Sequence, residues 1–264
     1  MPFTVSHIVA AIPLNKGLGK YTALSPLIIG SMTPDIAYLT PFLVHQRMDS
    51  HSLIAIYLFC IPMGLTVYFL YHLLMAPVVV SCLPKSIQRH LNSDLFIGKL
   101  PSTPAHVIVI SLVLGALTHI IWDFFTHQSG IPQHILWMNT PLMNIDGFDI
   151  MPYRVLQHIS SVLGLGLLLY WISRWYKRKK HLNGSNSFWQ APRMLKTLAM
   201  ILLAVISLIG ALLNGYRHLP DNDIFYGMYS AQVFIKYSFI GGVSAFLLCC
   251  FSLGLLYQLR IKTL

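Results

Sequence analysis

Five long apolar stretches constrain this chain more than any other feature of its sequence. They run roughly over residues Ser52–Met75, His106–Thr126, Ile159–Tyr176, Met194–Asn214 and Tyr237–Leu259. A helix needs about 20 mostly apolar residues to cross the hydrocarbon core of a bilayer. Only 10% of the 264 residues are charged, whereas a soluble domain carries about 25%. The sequence therefore predicts an all-α, polytopic membrane protein with about five transmembrane helices, whose main partner is the lipid bilayer.

The charged residues predict how the spans are oriented. The chain has 18 Lys and Arg against eight acids, all of them Asp. The stretches "RWYKRKK" and "APRMLK" place residues 174–196 in the cytoplasm, because basic loops stay on that side. Counting spans from there puts the C-terminus in the cytoplasm and residues 1–50, 127–158 and 215–236 outside. We interpret the basic excess as this loop bias and expect no nucleic-acid partner; the oligomeric state stays open.

Local patterns predict less regular structure between the spans. The stretch "GSMTPDIAYLTP" at residues 30–41 is rich in turn formers and predicts turns. Residues 77–105 contain "PKSIQRHLNSDLF", which favours an amphipathic helix on the membrane surface. The four cysteines form no CxxC pair, so neither a disulfide framework nor a thiolate zinc site is expected.

A stripe of ionisable residues marks the outer end of the second span. His119, Asp123 and His127 follow one another at intervals of four, which places them on one slowly drifting stripe of a helix. Imidazole and carboxylate together suit Zn²⁺ or Mn²⁺. A histidine in a membrane helix also serves as a hydrogen-bond donor between helices. Because ionisable groups are costly at membrane depth, we interpret His119 and Asp123 as functional. His127 fits either a ligand or a residue of the headgroup region.

The predicted topology puts further candidates on the same side of the membrane. His7, Asp35 and His51 lie in the first, outer segment, and His158 lies at the outer start of the third span. Asp35 is either a turn residue or a ligand carboxylate held on a turn. His51 precedes a helix, where the helix dipole disfavours its protonated form and so favours the neutral form that binds metal.

The pattern "MPFTVSH…GSMTPD…HS…GALTHIIWDFFTH…YRVLQHISSVLG" resembles a bacterial membrane family known as domain of unknown function 4184. The resemblance covers most of residues 1–170. That family resembles membrane-bound metal-dependent hydrolases and, more distantly, the zinc-dependent phospholipase C and S1/P1 nuclease superfamily. It implies a phospholipase C-like helical core, a metal-site domain over residues 1–176, and a basic loop with two helices over 177–264. It also implies a bacterial inner-membrane location.

The soluble enzymes bind zinc with ligands in a fixed order, and this chain repeats that order. The resemblance implies the ligands His7, Asp35, His51, His119, Asp123 and His127. It further implies Pro2 as a possible ligand through its amine and His134 as an alternative to His127. The second His-x3-acid pair is missing, because Val162 follows His158 by four residues. We therefore expect one or two ions, zinc or manganese, rather than three.

Together with the predicted topology, the family resemblance implies a metal site on the extracytoplasmic face that hydrolyses a phosphoester in a lipid or lipid-linked substrate. Asp35 is the candidate catalytic residue, either as general base or as bridging ligand. Arg47 or Arg154, the basic residues on the same side, would bind the phosphate. The alternative is a transporter or structural membrane protein in which the His/Asp stripe conducts protons or joins helices.

Overall fold

The computed structural model describes residues 4–39, 50–88, 90–91, 100–145, 148–178, 193–219 and 228–262. These residues form the helices α1 (Ala11–Leu18), α2 (Leu24–Leu39), α3 (Leu53–Cys82), α4 (Lys85–Gln88), α5 (Ala105–Thr126), α6 (Pro152–Arg178), α7 (Arg193–Arg217) and α8 (Met228–Lys262). A 3-10 helix, Thr4–Ala10, leads into α1. Between α5 and α6 lies an antiparallel hairpin of β1 (Met143–Ile145) and β2 (Phe148–Ile150).

Five helical stretches are long and apolar enough to cross a membrane. They are Leu53–Cys82, Ala105–His134, Pro152–Arg178, Lys196–Arg217 and Tyr229–Leu259, with mean hydropathies between 1.6 and 2.4. Many large apolar side chains on them are exposed, as expected where a helix faces lipid rather than water. The predicted all-α, multi-pass fold is confirmed. Helix α5 ends at the predicted Thr126, whereas α3, α6, α7 and α8 extend beyond the predicted bounds.

Helix α3 shows why a predicted helix end was misplaced. The sequence predicts an end at Met75, two residues before Pro77, but α3 continues to Cys82. Two wide π-helical turns interrupt it, Ile56–Cys60 and Tyr71–Met75, and each ends just before a proline, Pro62 or Pro77. Proline lacks an N–H and crowds the preceding turn. A wider turn there leaves room for the proline ring. The helix therefore changes locally to the π-helical hydrogen-bond pattern and does not end.

The turns predicted over residues 30–41 are wrong for the described part, because α2 passes through Gly30 and Pro34 without a break. Packing against α5 explains this. A Cβ atom on Gly30 would collide with the Leu112 backbone, so the two helices meet at backbone contact. Pro34 cannot donate to the carbonyl of Gly30. Membrane helices tolerate such a proline when neighbouring helices supply polar contacts to the freed backbone groups. Tertiary packing thus outweighs the local preference of glycine and proline for turns.

The chain forms two compact units. The first contains Met1–Tyr68 and Thr103–Arg174, and the second contains Phe69–Ser102 and Trp175–Leu264. In the first, Ile29 of α2 packs with Tyr68, Ile108 and Leu112. In the second, the free thiols of Cys249 and Cys250 pack with Leu203 in an apolar core. The predicted domain boundary at residue 176 stays a prediction. The predicted surface helix lies partly outside the described residues, which show only α4.

Candidate metal centre

Four separate segments of the first unit bring six ionisable side chains into contact. This ligand cluster consists of His7, Asp35, His51, His119, Asp123 and His127. The 3-10 helix carries His7, α2 carries Asp35, the residues before α3 carry His51, and α5 with its C-terminal cap carries the rest. The side chain of His119 is fully buried, whereas those of His51 and His127 are 26% and 28% exposed. The cluster is therefore accessible from the end formed by His51 and His127.

Asp123 lies at the centre of the ligand cluster. Its Oδ1 is 3.5 Å from His7 Nε2 and 3.3 Å from His127 Nδ1. Its Oδ2 is 3.3 Å from both His51 Nε2 and His119 Nε2. The four-residue spacing predicted from the sequence places His119 and His127 one turn to either side of it. One carboxylate thus separates two pairs of imidazoles, one pair at each oxygen.

Asp35 adds a second carboxylate on the Oδ2 side of Asp123. Its Oδ1 lies 3.4 Å from His51 Nε2 and 3.7 Å from His119 Nε2. Its Oδ2 accepts a hydrogen bond of 2.6 Å from Thr4 Oγ1. This bond fixes the carboxylate and leaves Oδ1 directed at the two histidines. Sequence reasoning missed Thr4, because a lone threonine near the N-terminus carries no recognisable signal.

A backbone carbonyl sets the orientation of His119. Its Nδ1 lies 2.7 Å from the Ser31 carbonyl oxygen, which can only accept, so Nδ1 carries the proton. In the neutral imidazole, Nε2 then presents a lone pair to Asp35 and Asp123. A histidine that ligates metal commonly donates its other nitrogen to a carbonyl in this way. Sequence reasoning also missed Ser31, since the contact uses its backbone.

Several buried polar atoms of the ligand cluster make no hydrogen bond within the part of the chain that the structure describes. They are His7 Nδ1, His119 Nε2 and Asp123 Oδ1. Such atoms are costly to bury unless something else binds them. The ring of His7 also stacks on that of His119, with 3.9 Å between the ring centroids, and both imidazoles lie next to the Asp123 carboxylate. Lone pairs of imidazole directed at carboxylate oxygens fit a divalent cation between them.

Burial and neighbouring charges shift the pKa values of the three ligands that precede the spans. Burial, with a contribution from His119, lowers the pKa of His7 to about 4, so His7 is neutral at pH 7. Burial alone would lower the pKa of His51, but its bonds to Asp123 and Asp35 outweigh this and raise the pKa to about 9, so the neutral form expected from the helix dipole is not favoured in the metal-free protein. Burial would raise the pKa of Asp35, but contacts with His51 and His119 hold it below its usual value.

The geometry contains two overlapping sets of potential ligands, each with atoms within 4.8 Å of one another. One is His7, His119 and Asp123, and the other is Asp35, His51 and His119. Because the Nδ1 of His119 is already bonded to Ser31, its Nε2 can bind only one ion. The residues that could hold a second ion are His7, His127 and Asp123, because both histidines contact Asp123 Oδ1. The residues fit one or two divalent ions, and their nitrogen and oxygen atoms suit zinc or manganese.

The structure does not bring every predicted site residue into the ligand cluster. His134 and His158 are exposed and belong to neither set of potential ligands found among the described residues. His127 belongs to neither set as well, but its Nδ1 lies 3.3 Å from Asp123 Oδ1. The Nε of Arg154 donates to the Tyr153 hydroxyl at 3.2 Å. Pro2 and Arg47 lie outside the described residues, so their predicted roles stay predictions.

The raised pKa of His51 predicts how metal binding depends on pH. Because His51 carries a proton below pH 9 in the metal-free protein, an ion must displace it, and affinity should increase by up to about tenfold per pH unit between pH 6 and 9. His7, with a pKa of about 4, adds no such competition in this range. Calorimetric zinc titrations at several pH values measure the slope. In His51→Ala the slope should be smaller, and an unchanged slope would contradict the assignment.

Comparison with known proteins gives one match. The family described as Domain of unknown function (DUF4184) matches residues 1–251. No curated protein and no solved structure matches the chain. The match extends beyond the residues 1–170 that carried the resemblance in the sequence, and it includes the whole ligand cluster and most of the last span.

Proposed function

The chain belongs to the family described as Domain of unknown function (DUF4184), and we propose that it is a membrane-bound, metal-dependent hydrolase of a phosphoester in a lipid or lipid-linked substrate. The observation that carries this proposal is the convergence of six ionisable side chains from four segments. A proton path or a contact between helices needs only residues within the spans. The ligand cluster also includes His7, Asp35 and His51, which precede the spans and contact Asp123 or His119 of α5.

The two oxygens of Asp123 divide the proposed ligands into two groups. Asp35, His51 and His119 would hold one ion together with Asp123, and His7 and His127 would hold a second, also with Asp123. When bound, a divalent ion supplies positive charge that polarises a phosphoryl oxygen and favours deprotonation of water. Zinc is the proposed ion and manganese the alternative.

The surrounding side chains orient these groups. Thr4 holds Oδ2 of Asp35, so Oδ1 remains for an ion or for the proton of an attacking water. The lowered pKa of Asp35 keeps it ionised at neutral pH, which supports a ligand role more than a role as base. The exposed edges of His51 and His127 are where a substrate can reach the cluster.

Arg154 remains the proposed partner of the phosphate charge. Its guanidinium is held by the Tyr153 hydroxyl, and that hydroxyl donates to Gln128 Oε1 at 3.3 Å. Gln128 directly follows His127 in the chain, so these contacts connect Arg154 to the exposed edge of the ligand cluster. A guanidinium suits this role because it binds phosphate oxygens in pairs.

A lipid substrate is supported by the connection between α5 and α6. It joins two spans and exposes large apolar side chains, among them Leu136, which is 87% exposed, and Trp137, Leu142 and Met143. Tryptophan and apolar side chains at the end of a span suit the interface between bilayer and water. We propose that this face is extracytoplasmic, from the distribution of basic residues. A substrate anchored in the bilayer would then approach the ligand cluster from the membrane surface.

The proposal is tested with purified protein in liposomes that contain phospholipids or lipid-linked pyrophosphates. Chelation should abolish release of phosphate or headgroup, and zinc or manganese should restore it. The variant His7→Ala should lose about 100-fold or more of this activity, because misplaced ligands misplace the reacting groups. His218→Ala, at an exposed residue that directly follows α7, is the matched control. Proton flux that survives His7→Ala, with no hydrolysis of any phosphoester, would support the transport alternative instead.

A further inference from the structure

A cleft lined by polar residues, the polar cleft, adjoins the ligand cluster and shares only His127 with it. It has a volume of about 500 Å³, within the range of roughly 300–1,000 Å³ for small-molecule sites. Its lining residues are His127, Gln128, Ser129, Gln133, Tyr153 and Gln157. His127 belongs to both sites, because its Nδ1 lies 3.3 Å from Asp123 Oδ1. A molecule in this polar cleft therefore has one end against the ligand cluster.

The lining of the polar cleft is uncharged and rich in amides. Among the described residues, no lysine, arginine or carboxylate lines it. Each glutamine offers two N–H donors and one acceptor oxygen, which matches hydroxyl groups that both donate and accept. Apart from the imidazole of His127, which is a proposed metal ligand, the aromatic ring found in this lining is that of Tyr153, and the Arg154 guanidinium lies over it at 5.9 Å. A quaternary ammonium group needs aromatic faces of its own, so it fits this cleft poorly.

Contacts within the chain hold two of the three glutamine amides: the Gln128 nitrogen lies 3.5 Å from Asn139 Oδ1, and the Gln133 nitrogen lies 3.2 Å from His134 Nε2. Gln128 accepts from the Tyr153 hydroxyl at 3.3 Å, and Gln133 donates to the Ser129 carbonyl at 3.0 Å. The amide of Gln157 makes no hydrogen bond to any residue in the described parts of the chain. Gln157 follows Tyr153 by four residues on α6, so the two side chains lie on the same face of the helix.

We propose that the polar cleft binds an uncharged, polyhydroxylated headgroup, a polyol or sugar, esterified to the phosphate of the lipid substrate. This inference rests on the proposed function for the placement of the phosphate at the ligand cluster. The headgroup hydroxyls bond to Gln133 and Gln157, the phosphate lies at the His127 edge, and the acyl chains stay in the bilayer. Headgroups that carry an ammonium are disfavoured, because the cleft offers neither a carboxylate nor a free aromatic face.

Binding of lipids to metal-stripped protein tests this without any hydrolysis. Native mass spectrometry would compare phosphatidylinositol and phosphatidylglycerol with phosphatidic acid and phosphatidylcholine, all with the same acyl chains. The two polyol lipids should bind at least fivefold more tightly than the other two. Phosphatidic acid controls for negative charge, since it has the phosphate but no headgroup. In Gln157→Ala and Gln133→Ala the preference should disappear, whereas Gln232→Ala, an exposed glutamine of α8, should retain it.

The outcomes separate this inference from the proposed function. Equal binding of all four lipids, or a preference that Gln157→Ala leaves intact, overturns the polyol site even if the metal-loaded protein hydrolyses phosphoesters. A preference that depends on Gln157 and Gln133 supports the site even if no hydrolysis is found. His119→Ala should keep the lipid preference, because His119 lies in the ligand cluster and does not line the polar cleft. Loss of the preference in that variant would count against a separate headgroup site.

Discussion

Replacement of Asp123 by asparagine should lower the affinity of the protein for Zn²⁺ by at least about 100-fold. Loss of a residue that only hydrogen-bonds to a metal ligand lowers metal affinity by about 10–100-fold. Asp123 is itself a proposed ligand, so its loss should cost at least as much. Both of its oxygens contact histidines, two at each oxygen, within 3.5 Å. The substitution keeps the shape of the side chain but removes its charge and turns one oxygen into a donor. Equilibrium dialysis against buffered zinc, followed by elemental analysis, measures the change.

The matched control is Asp149→Asn. Asp149 is an exposed aspartate of β2 whose Oδ1 accepts a hydrogen bond from Asn144 at 2.7 Å. That variant should bind zinc like the unchanged protein. Circular dichroism establishes that both variants keep their helices, so that lost binding is not lost folding. Wild-type affinity in a folded Asp123→Asn protein would remove Asp123 from the metal site.

The second large effect is expected at Gly115, which is not one of the proposed metal-binding residues. Gly115→Leu should destabilise the protein and empty the metal site, because a Cβ at Gly115 would collide with the Leu27 carbonyl and lie 2.7 Å from Ser31 N. Overpacking of this kind costs about 1–3 kcal/mol or more. If α2 moves away from α5, the Ser31 carbonyl leaves His119 Nδ1 and Asp35 leaves its histidines. Thermal unfolding in detergent and zinc content of the folded fraction report the two consequences.

Gly166→Leu provides the comparison for this experiment. Gly166 lies on α6, and a Cβ added there meets nothing within 4 Å. The same substitution should leave both the unfolding temperature and the zinc content nearly unchanged. If Gly115→Leu behaves like Gly166→Leu, the close crossing of α2 and α5 does not position the ligand cluster.

Much of the fold follows from composition and periodicity. Five apolar stretches predicted five spans, because the bilayer allows few alternatives to a helix of that length. The stripe of His119, Asp123 and His127 was equally predictable, since a regular helix places residues four apart on one face. The predicted topology placed His7, Asp35 and His51 on the same side of the membrane as that stripe, but the residues alone did not predict that they contact it. Their order came from a family resemblance, and their contacts depend on how α2 and the N-terminal 3-10 helix pack on α5.

The wrong predictions for α2 and α3 concern stretches that contain glycine or proline. Local patterns of glycine and proline predicted turns around Asp35, but tertiary packing outweighs such preferences. The span predicted to end at Met75 continues to Cys82. The backbone contact at Gly30 and a bond to the Ser31 carbonyl hold α2 as a helix, and a π-helical turn carries α3 past Pro77. Thr4 was unpredictable for a different reason: a side chain that orients a carboxylate leaves no pattern in one sequence.

The most direct test of the ligand cluster is X-ray absorption at the zinc edge of zinc-loaded protein. We expect one or two ions per chain, with a first shell of nitrogen and oxygen at about 2.0–2.2 Å and multiple scattering from imidazole. The shell should lose imidazole scattering in His119→Ala. Sulfur at about 2.3 Å would place the metal at the cysteines, and a hydrated ion without imidazole would place it on the surface. Either of these results would contradict the account.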